Sequence, residues 1–220
     1  MHARCLLYYI TDRKSFPGDE AARRRRLIAK IAEAARAGVD YIQLREKDLC
    51  ARELEHLAAE ALAAVRSKSP TASLLVNSRL DVALAVGADG VHLRSDDVSA
   101  GTVRSLLDRS KVRVKRPFMI GVSCHDEAQV KTAAAEGASF VVFGPVFEKT
   151  GVPAATPTGL VKLQEVCRNN VPVLALGGVT LGNAPACLAA GASGIAAIRL
   201  FQDGEVAGIV EDLRRLTRGS

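Results

Sequence analysis

Gln43, Arg45 and Lys47 occupy alternate positions of Gln43-Leu44-Arg45-Glu46-Lys47, at the polar end of an apolar run that begins at Val39. Successive residues of an extended chain point to opposite sides. This spacing therefore aims two cations and an amide at one spot, with Leu44 and Glu46 facing away. An inward-facing Arg and Lys need an anion to offset their desolvation. Two partners meet that need: a bound phosphate or pyrophosphate, or carboxylates of the chain itself.

Other chemistry-bearing residues also fall where short apolar runs end. Gly177-Gly178 either exposes backbone N–H groups to a phosphate or makes a tight turn. Asp96 and Asp97 either hold a hard cation such as magnesium or complement a helix dipole ahead of Val98-Ser99. Asn77 is a substrate contact or a turn former, and Ser123 ends the fifth run. His125 is an acid–base group at that end or a histidine in the first turn of a helix. Its neighbour Cys124 points the opposite way on an extended strand, so the two form no ready dyad and Cys124 is read as packing. His92, inside a run, is read as a hydrogen-bonded structural residue. Lys149 sits on a loop with Gly151, Pro153 and Pro157, either closing over an anion or solvated.

The elements that must position these residues alternate from end to end. Eight strands are predicted at Leu6–Ile10, Tyr41–Arg45, Leu74–Asn77, Val91–Leu93, Met119–Ser123, Phe140–Gly144, Val173–Gly177 and Gly194–Ile198, with amphipathic stretches between them. Leu54, Leu57, Ala58, Ala61, Leu62 and Val65 give the firmest helical face. Before every second strand a small phrase recurs: Ala37-Gly38-Val39-Asp40, Val86-Gly87-Ala88-Asp89, Glu136-Gly137-Ala138-Ser139 and Ala190-Gly191-Ala192-Ser193. Each glycine falls where a helix should stop. The period of roughly fifty residues spans two strand–helix units. Four such repeats predict an α/β fold of the eight-stranded parallel (β/α)8 TIM-barrel type, with residues 1–220 as a single domain. An open doubly wound sheet leaves the fourfold regularity unexplained. Active sites of such barrels lie at the C-terminal strand ends, where the residues above fall.

Composition narrows the function classes. At 48% hydrophobic and 25% charged over 220 residues, the chain can bury one sizeable core. The net charge of +6 and the run Arg23 to Arg26 raise nucleic acid as a partner, but 4% aromatic residues and no tryptophan supply few stacking platforms. Leu27, Ile28 and Ile31 interleave with that run as one helical face, so it reads as solvated helix surface; Lys111, Arg113, Lys115 and Arg116 read as a basic loop before Pro117. Cys5, Cys50, Cys124, Cys167 and Cys187 form no Cys-x-x-Cys pair and are odd in number, which favours a reduced, cytoplasmic setting. No apolar stretch is long enough to span a membrane, and no signal-peptide pattern opens the chain.

Taken together, these segments resemble the superfamily of thiamine phosphate synthase and thiazole tautomerase. The likeness runs through Tyr9-Ile10-Thr11-Asp12, Gln43 to Lys47, Val76-Asn77, Gly87 to Leu93, Gly121 to His125, Phe143 to Phe147 and Leu176 to Val179. It implies a magnesium-dependent transferase that joins an aminopyrimidine carried as its diphosphate to a thiazole phosphate and releases pyrophosphate. In that family the Gln-x-Arg-x-Lys strand end grips the diphosphate, here Gln43, Arg45 and Lys47; Asn77 and Ser123 match further substrate contacts, and Asp97 matches a magnesium ligand. The thiazole phosphate is expected near Gly178, Ile198 and Arg199. The partners implied are these small molecules, not nucleic acid or membrane, with a homo-oligomer left open.

The chain also departs from the pattern. Ser78 stands where the synthases usually have a second magnesium aspartate. Glu148-Lys149-Thr150-Gly151 replaces a Thr-x-Thr-Lys, so Lys149 and Thr150 take part only after a shift of register. Arg94 and Arg199 stand where glycine and serine are common. Two readings rival the synthase: the tautomerase, with His125 as its acid–base group and Ser78 in its favour, and a phosphate-ligand binding protein without turnover. Retention of both Arg45 and Lys47 favours the synthase, because an isomerase has no diphosphate to hold.

Overall fold

The computed structural model describes residues 4–109, 117–148 and 156–217. The strands are β1 (Leu6–Ile10), β2 (Tyr41–Leu44), β3 (Ser73–Asn77), β4 (Gly90–Leu93), β5 (Met119–Cys124), β6 (Phe140–Phe143), β7 (Val173–Leu176) and β8 (Gly194–Ala197). Each pairs in parallel with the next and β8 pairs with β1, closing the barrel. The helices are α1 (Glu20–Ala37), α2 (Ala51–Lys68), α3 (Leu80–Val86), α4 (Ala100–Arg109), α5 (Glu127–Ala135), α6 (Gly159–Val166), α7 (Ala184–Ala189), α8 (Arg199–Gln202) and α9 (Val206–Arg215). The predicted barrel is the observed fold. The predicted basic loop from Lys111 to Arg116 lies outside the described residues.

Strand alternation divides the core in two. One face of the strands packs against the helices in a large cluster that includes Leu7, Tyr9, Ile42, Leu44, Val76, Val91 and Phe143. The other face fills the barrel with a smaller set: Tyr8, Ile10, Leu75, Phe140, Val142, Leu174 and Ala196. Phe140 stacks on Tyr41 with ring centroids 4.9 Å apart and meets Tyr8 edge-on at 5.3 Å.

The repeated phrase closes the N-terminal floor. Gly38, Gly87, Gly137 and Gly191 all adopt positive φ, the left-handed stop that the sequence pattern predicts. Two residues beyond each of the first three lies a polar side chain that accepts the amide of the preceding odd strand. Asp40 Oδ2 takes Leu7 N at 2.7 Å, Asp89 Oδ2 takes Leu74 N at 2.9 Å, and Ser139 Oγ takes Ile120 N at 3.0 Å. A helix arginine completes each contact: Arg214 on Asp40 at 2.7 Å, Arg66 on Asp89 at 2.9 Å and Arg104 on Ser139 at 3.1 Å. Three of the four phrases thus share one hydrogen-bonded corner.

Candidate active site

The C-terminal mouth is built on the inward parity of the strands. Tyr41 and Gln43 precede Arg45, Leu75 precedes Asn77, His92 precedes Arg94, Met119 and Gly121 precede Ser123, and Ala196 precedes Ile198. Gln43 is buried in the barrel, Arg45 is half-buried and Lys47 is exposed. Strand β2 ends at Leu44, however, and Lys47 lies on a turn. The extended alternation expected through Lys47 therefore stops near Glu46, and Lys47 reaches the rim from a loop.

Glu46 explains the turn. Its buried carboxylate faces away from the mouth, accepting Thr11 Oγ1 at 2.6 Å and Arg13 Nη1 at 3.1 Å. Thr11 in turn accepts Arg45 N at 3.0 Å. Arg13, also buried, grips Asp48 with two bonds of 2.7 and 2.8 Å and Glu20 with one of 2.9 Å. Hydrogen bonds to Asp48, Glu20 and Glu46 hold Arg13 firmly charged, while burial pushes the Glu46 carboxyl upward against the pull of Thr11 and Arg13. This network clamps the β1 and β2 ends together and fixes the backbone that carries Arg45 and Lys47.

The mouth cations have no such partners. Among the described residues, neither Arg45 nor Lys47 forms an ion pair with a carboxylate. Burial pushes the Arg45 guanidinium below its ordinary range, with Asp12 and Glu46 pulling the other way and Arg94 adding to the depression. The Lys47 ammonium is pushed down first by Arg45, then by burial and Arg94, against Asp96. Three like charges thus crowd one rim, an arrangement that an anion relieves. Arg94 itself pairs with the exposed Asp96.

Asp97 does not cap a helix. Ser99 takes that part for α4, its Oγ accepting Thr102 N at 3.2 Å. Asp97 folds back instead: its Oδ2 accepts Arg94 N at 2.7 Å and Ser78 Oγ at 2.6 Å, and Asn77 Nδ2 donates to Ser78 Oγ at 3.0 Å. Ser78 takes φ of 59°, a left-handed backbone rare outside glycine, so the local chain holds a strained turn where Asn77 and Asp97 meet. Among the described residues no group of three or more His, Cys, Asp or Glu could hold a metal.

On the β5–β6 side, Ser123 Oγ lies 2.8 Å from His92 Nε2. Cys124 is buried and its thiol is pushed up to about 12 by that burial, which suits packing and not nucleophilic attack. His125 is exposed and its Nδ1 donates to Gly144 O at 2.6 Å. Gly177 and Gly178 both adopt positive φ. A Cβ on Gly178 would stand 2.4 Å from Glu148 O and one on Gly177 2.6 Å from Pro145 Cα, so close passage of the β6 loop already demands glycine at both. Ile198 packs against the barrel interior and Arg199 opens α8. Lys149 and Thr150 lie outside the described residues.

Sequence reasoning missed Tyr8, Thr11, Arg13 and the link from His92 to Ser123. Tyr8 was legible in principle, since it precedes Ile10 at inward parity; the others depend on contacts between strands far apart in sequence.

A closed parallel barrel that gathers Arg45, Lys47 and Arg94 at the C-terminal ends of its strands belongs to the (β/α)8 class, whose active sites lie at that end. Residues 7–201 match the family model described as thiamine monophosphate synthase, and the chain belongs to that family. It is 41% identical over 196 residues to a putative thiamine-phosphate synthase 2 of Aquifex aeolicus, covering 89% of this chain and 96% of that one. It is 39% identical to the thiamine-phosphate synthase of Roseiflexus castenholzii, over 89% and 80% of the two chains. A solved thiamine phosphate pyrophosphorylase from Pyrococcus furiosus superposes with a TM-score of 0.79 at 28% identity, covering 99% and 97%.

Proposed function

We propose that this barrel is a thiamine-phosphate synthase, a transferase that couples a hydroxymethylpyrimidine diphosphate to a thiazole phosphate. The observation that carries the reading is the pair Arg45 and Lys47, two mouth cations that form no ion pair among the described residues and whose pKa values stay lowered despite Asp12, Glu46 and Asp96 nearby. Family membership gives that pair its anion. The curated relatives carry the synthase name, which favours coupling over tautomerisation.

In this reading the bond between the pyrimidine methylene and the diphosphate oxygen breaks, its electron pair leaving with pyrophosphate. Arg45 and Lys47 neutralise charge that grows on the leaving oxygens, and Ser123 donates a hydrogen bond to them. The thiazole nitrogen supplies the electron pair of the new C–N bond and becomes the thiazolium of the product. No protein nucleophile is needed; position is. Gln43 and Asn77 hold the first substrate, and Gly178, Ile198 and Arg199 flank the phosphate of the second. Lys149 and Thr150 are assigned to the same anions.

Magnesium fits the donor set in a limited way. Asp97 offers one carboxylate and Ser78 one hydroxyl, which suits an ion that takes most of its ligands from a substrate diphosphate and water. When bound it would add positive charge at the leaving group. We further propose that the 220 residues act as one domain in the cytoplasm; no helix among the described residues is long and apolar enough to cross a membrane.

The test is direct: incubate the protein with both substrates and magnesium and assay for thiamine phosphate and pyrophosphate. Stoichiometric appearance of both is expected. Isomerisation of a thiazole precursor without coupling would overturn the reading in favour of the tautomerase, and binding of both ligands without any product would leave a non-catalytic protein.

A further inference from the structure

A chain of hydrogen bonds crosses the barrel interior below the mouth. Gln43 Nε2 donates to Tyr8 Oη at 3.0 Å, Tyr8 Oη lies 3.1 Å from His92 Nδ1, and His92 Nε2 lies 2.8 Å from Ser123 Oγ. The four residues come from β2, β1, β4 and β5. Tyr8, Gln43 and His92 are each at most 2% exposed, so bulk water is no substitute partner for any of them.

The polarity of this chain follows from proton counting. The Gln43 amide nitrogen only donates, so the Tyr8 oxygen is the acceptor there. Tyr8 has one proton, and the acceptor facing it is His92 Nδ1. Burial holds the His92 imidazole neutral, its pKa lowered to about 3, with Arg45 adding to the effect. A neutral imidazole that accepts at Nδ1 carries its proton on Nε2 and donates it to Ser123 Oγ. The Ser123 oxygen is then engaged from below, and its own proton is left for whatever occupies the mouth.

The surroundings reserve space for this arrangement. A Cβ on Gly121 would stand 2.8 Å from His92 Nδ1 and 2.6 Å from the Phe140 ring, so glycine is what lets the imidazole sit inside the barrel. Phe140 also braces Tyr8 edge-on.

We propose that Tyr8 and His92 are positioning residues that hold Ser123 as a hydrogen-bond donor aimed at the leaving diphosphate, with Gln43 setting the direction of the chain. The leaving-group part rests on the synthase reading above; the polarity part does not. No proton moves along the chain in the reaction. Its contribution is that the serine hydroxyl does not have to reorient as charge develops.

Nitrogen-15 NMR of histidine-labelled, ligand-free protein tests the polarity, with His92 assigned by its disappearance in His92→Gln. The expected result is a neutral ring protonated on Nε2; a ring protonated on Nδ1 would overturn the proposal in the wild-type protein, without reliance on any variant. In Tyr8→Phe the tautomer is expected to become mixed, and kcat to fall by about 10- to 100-fold with little change in KM. Unchanged tautomer and kcat would count against it. His92→Gln keeps an amide donor toward Ser123 and should retain more kcat than His92→Leu; equal losses in two folded variants would reduce His92 to a packing role. An Nε2 tautomer without any coupling activity would defeat the leaving-group role and the synthase reading together. An Nδ1 tautomer with full coupling would defeat this proposal alone.

Discussion

At the N-terminal ends of the strands, Arg214, Arg66 and Arg104 each end on a side chain that also secures a strand amide. At the C-terminal ends, Arg45 and Lys47 form no ion pair with a carboxylate among the described residues. The residue types at the two ends are alike; their satisfaction is not. On the floor, Arg214 serves Asp40, the Gly38 carbonyl and the Cys5 carbonyl, so every donor that it buries has a partner. At the mouth, mutual repulsion among Arg45, Lys47 and Arg94 is tolerated, and the clamp of Arg13 and Glu46 holds the turn that carries two of them. A barrel can keep such a rim because the opposite end and the helix-facing core supply the stability.

Substitution at each end should separate the two roles. The largest effect is expected from Arg45→Ala, which removes the more buried mouth cation: kcat/KM for coupling should fall by roughly 10²- to 10³-fold, while the urea midpoint stays level or rises as repulsion is relieved. Loss of stability with activity retained would make Arg45 a structural residue and erase the contrast. Arg214→Ala is the mirror experiment. It strips Asp40 of its buried partner and should cost roughly 3 kcal/mol in urea unfolding. The fraction still folded should turn over at the wild-type rate. A fall in kcat larger than the fall in folded fraction would show the floor to be coupled to the mouth.

Much of this contrast was legible before any coordinates, for a physical reason. The ends of apolar runs are local signals, so Gln43, Arg45, Asn77, Ser123 and Ile198 could be placed at the C-terminal end of the barrel from where the strands stop, as the structure has them. The glycine-marked phrase gave the fold through its period, and the same phrase carried Asp40, Asp89 and Ser139, whose purpose was not legible because it lies in bonds to the preceding odd strand and to helix arginines. Lys47 was placed on the right rim by an alternation that does not extend so far: a buried Glu46, pulled toward Thr11 and Arg13 from β1 and its loop, bends the chain first. The doublet Gly177-Gly178 reads in sequence as a phosphate site or a tight turn, and packing against Pro145, Phe147 and Glu148 is sufficient to require it. Contacts across strands decide these cases, and period and propensity do not encode them.

The smallest effect expected is on the pH dependence of anion binding, and it bears on whether the mouth is electrostatically strained or merely basic. Arg45, burial and Arg94 all lower the pKa of Lys47, so its proton is lost at lower pH than that of an ordinary lysine near 10.4. Binding of pyrophosphate favours the charged form. Affinity should therefore be full below the depressed pKa and decline as pH rises through it, earlier than solvated lysines would allow. Lys47→Arg keeps the charge and does not titrate in that range, so its alkaline decline should be absent. Arg94→Ala removes one repelling neighbour and should move the wild-type decline to higher pH. Calorimetry of pyrophosphate binding across this alkaline window reads all three proteins. If the wild-type protein and Lys47→Arg decline together, Lys47 is an ordinary surface lysine, and the strain at the mouth belongs to Arg45 alone.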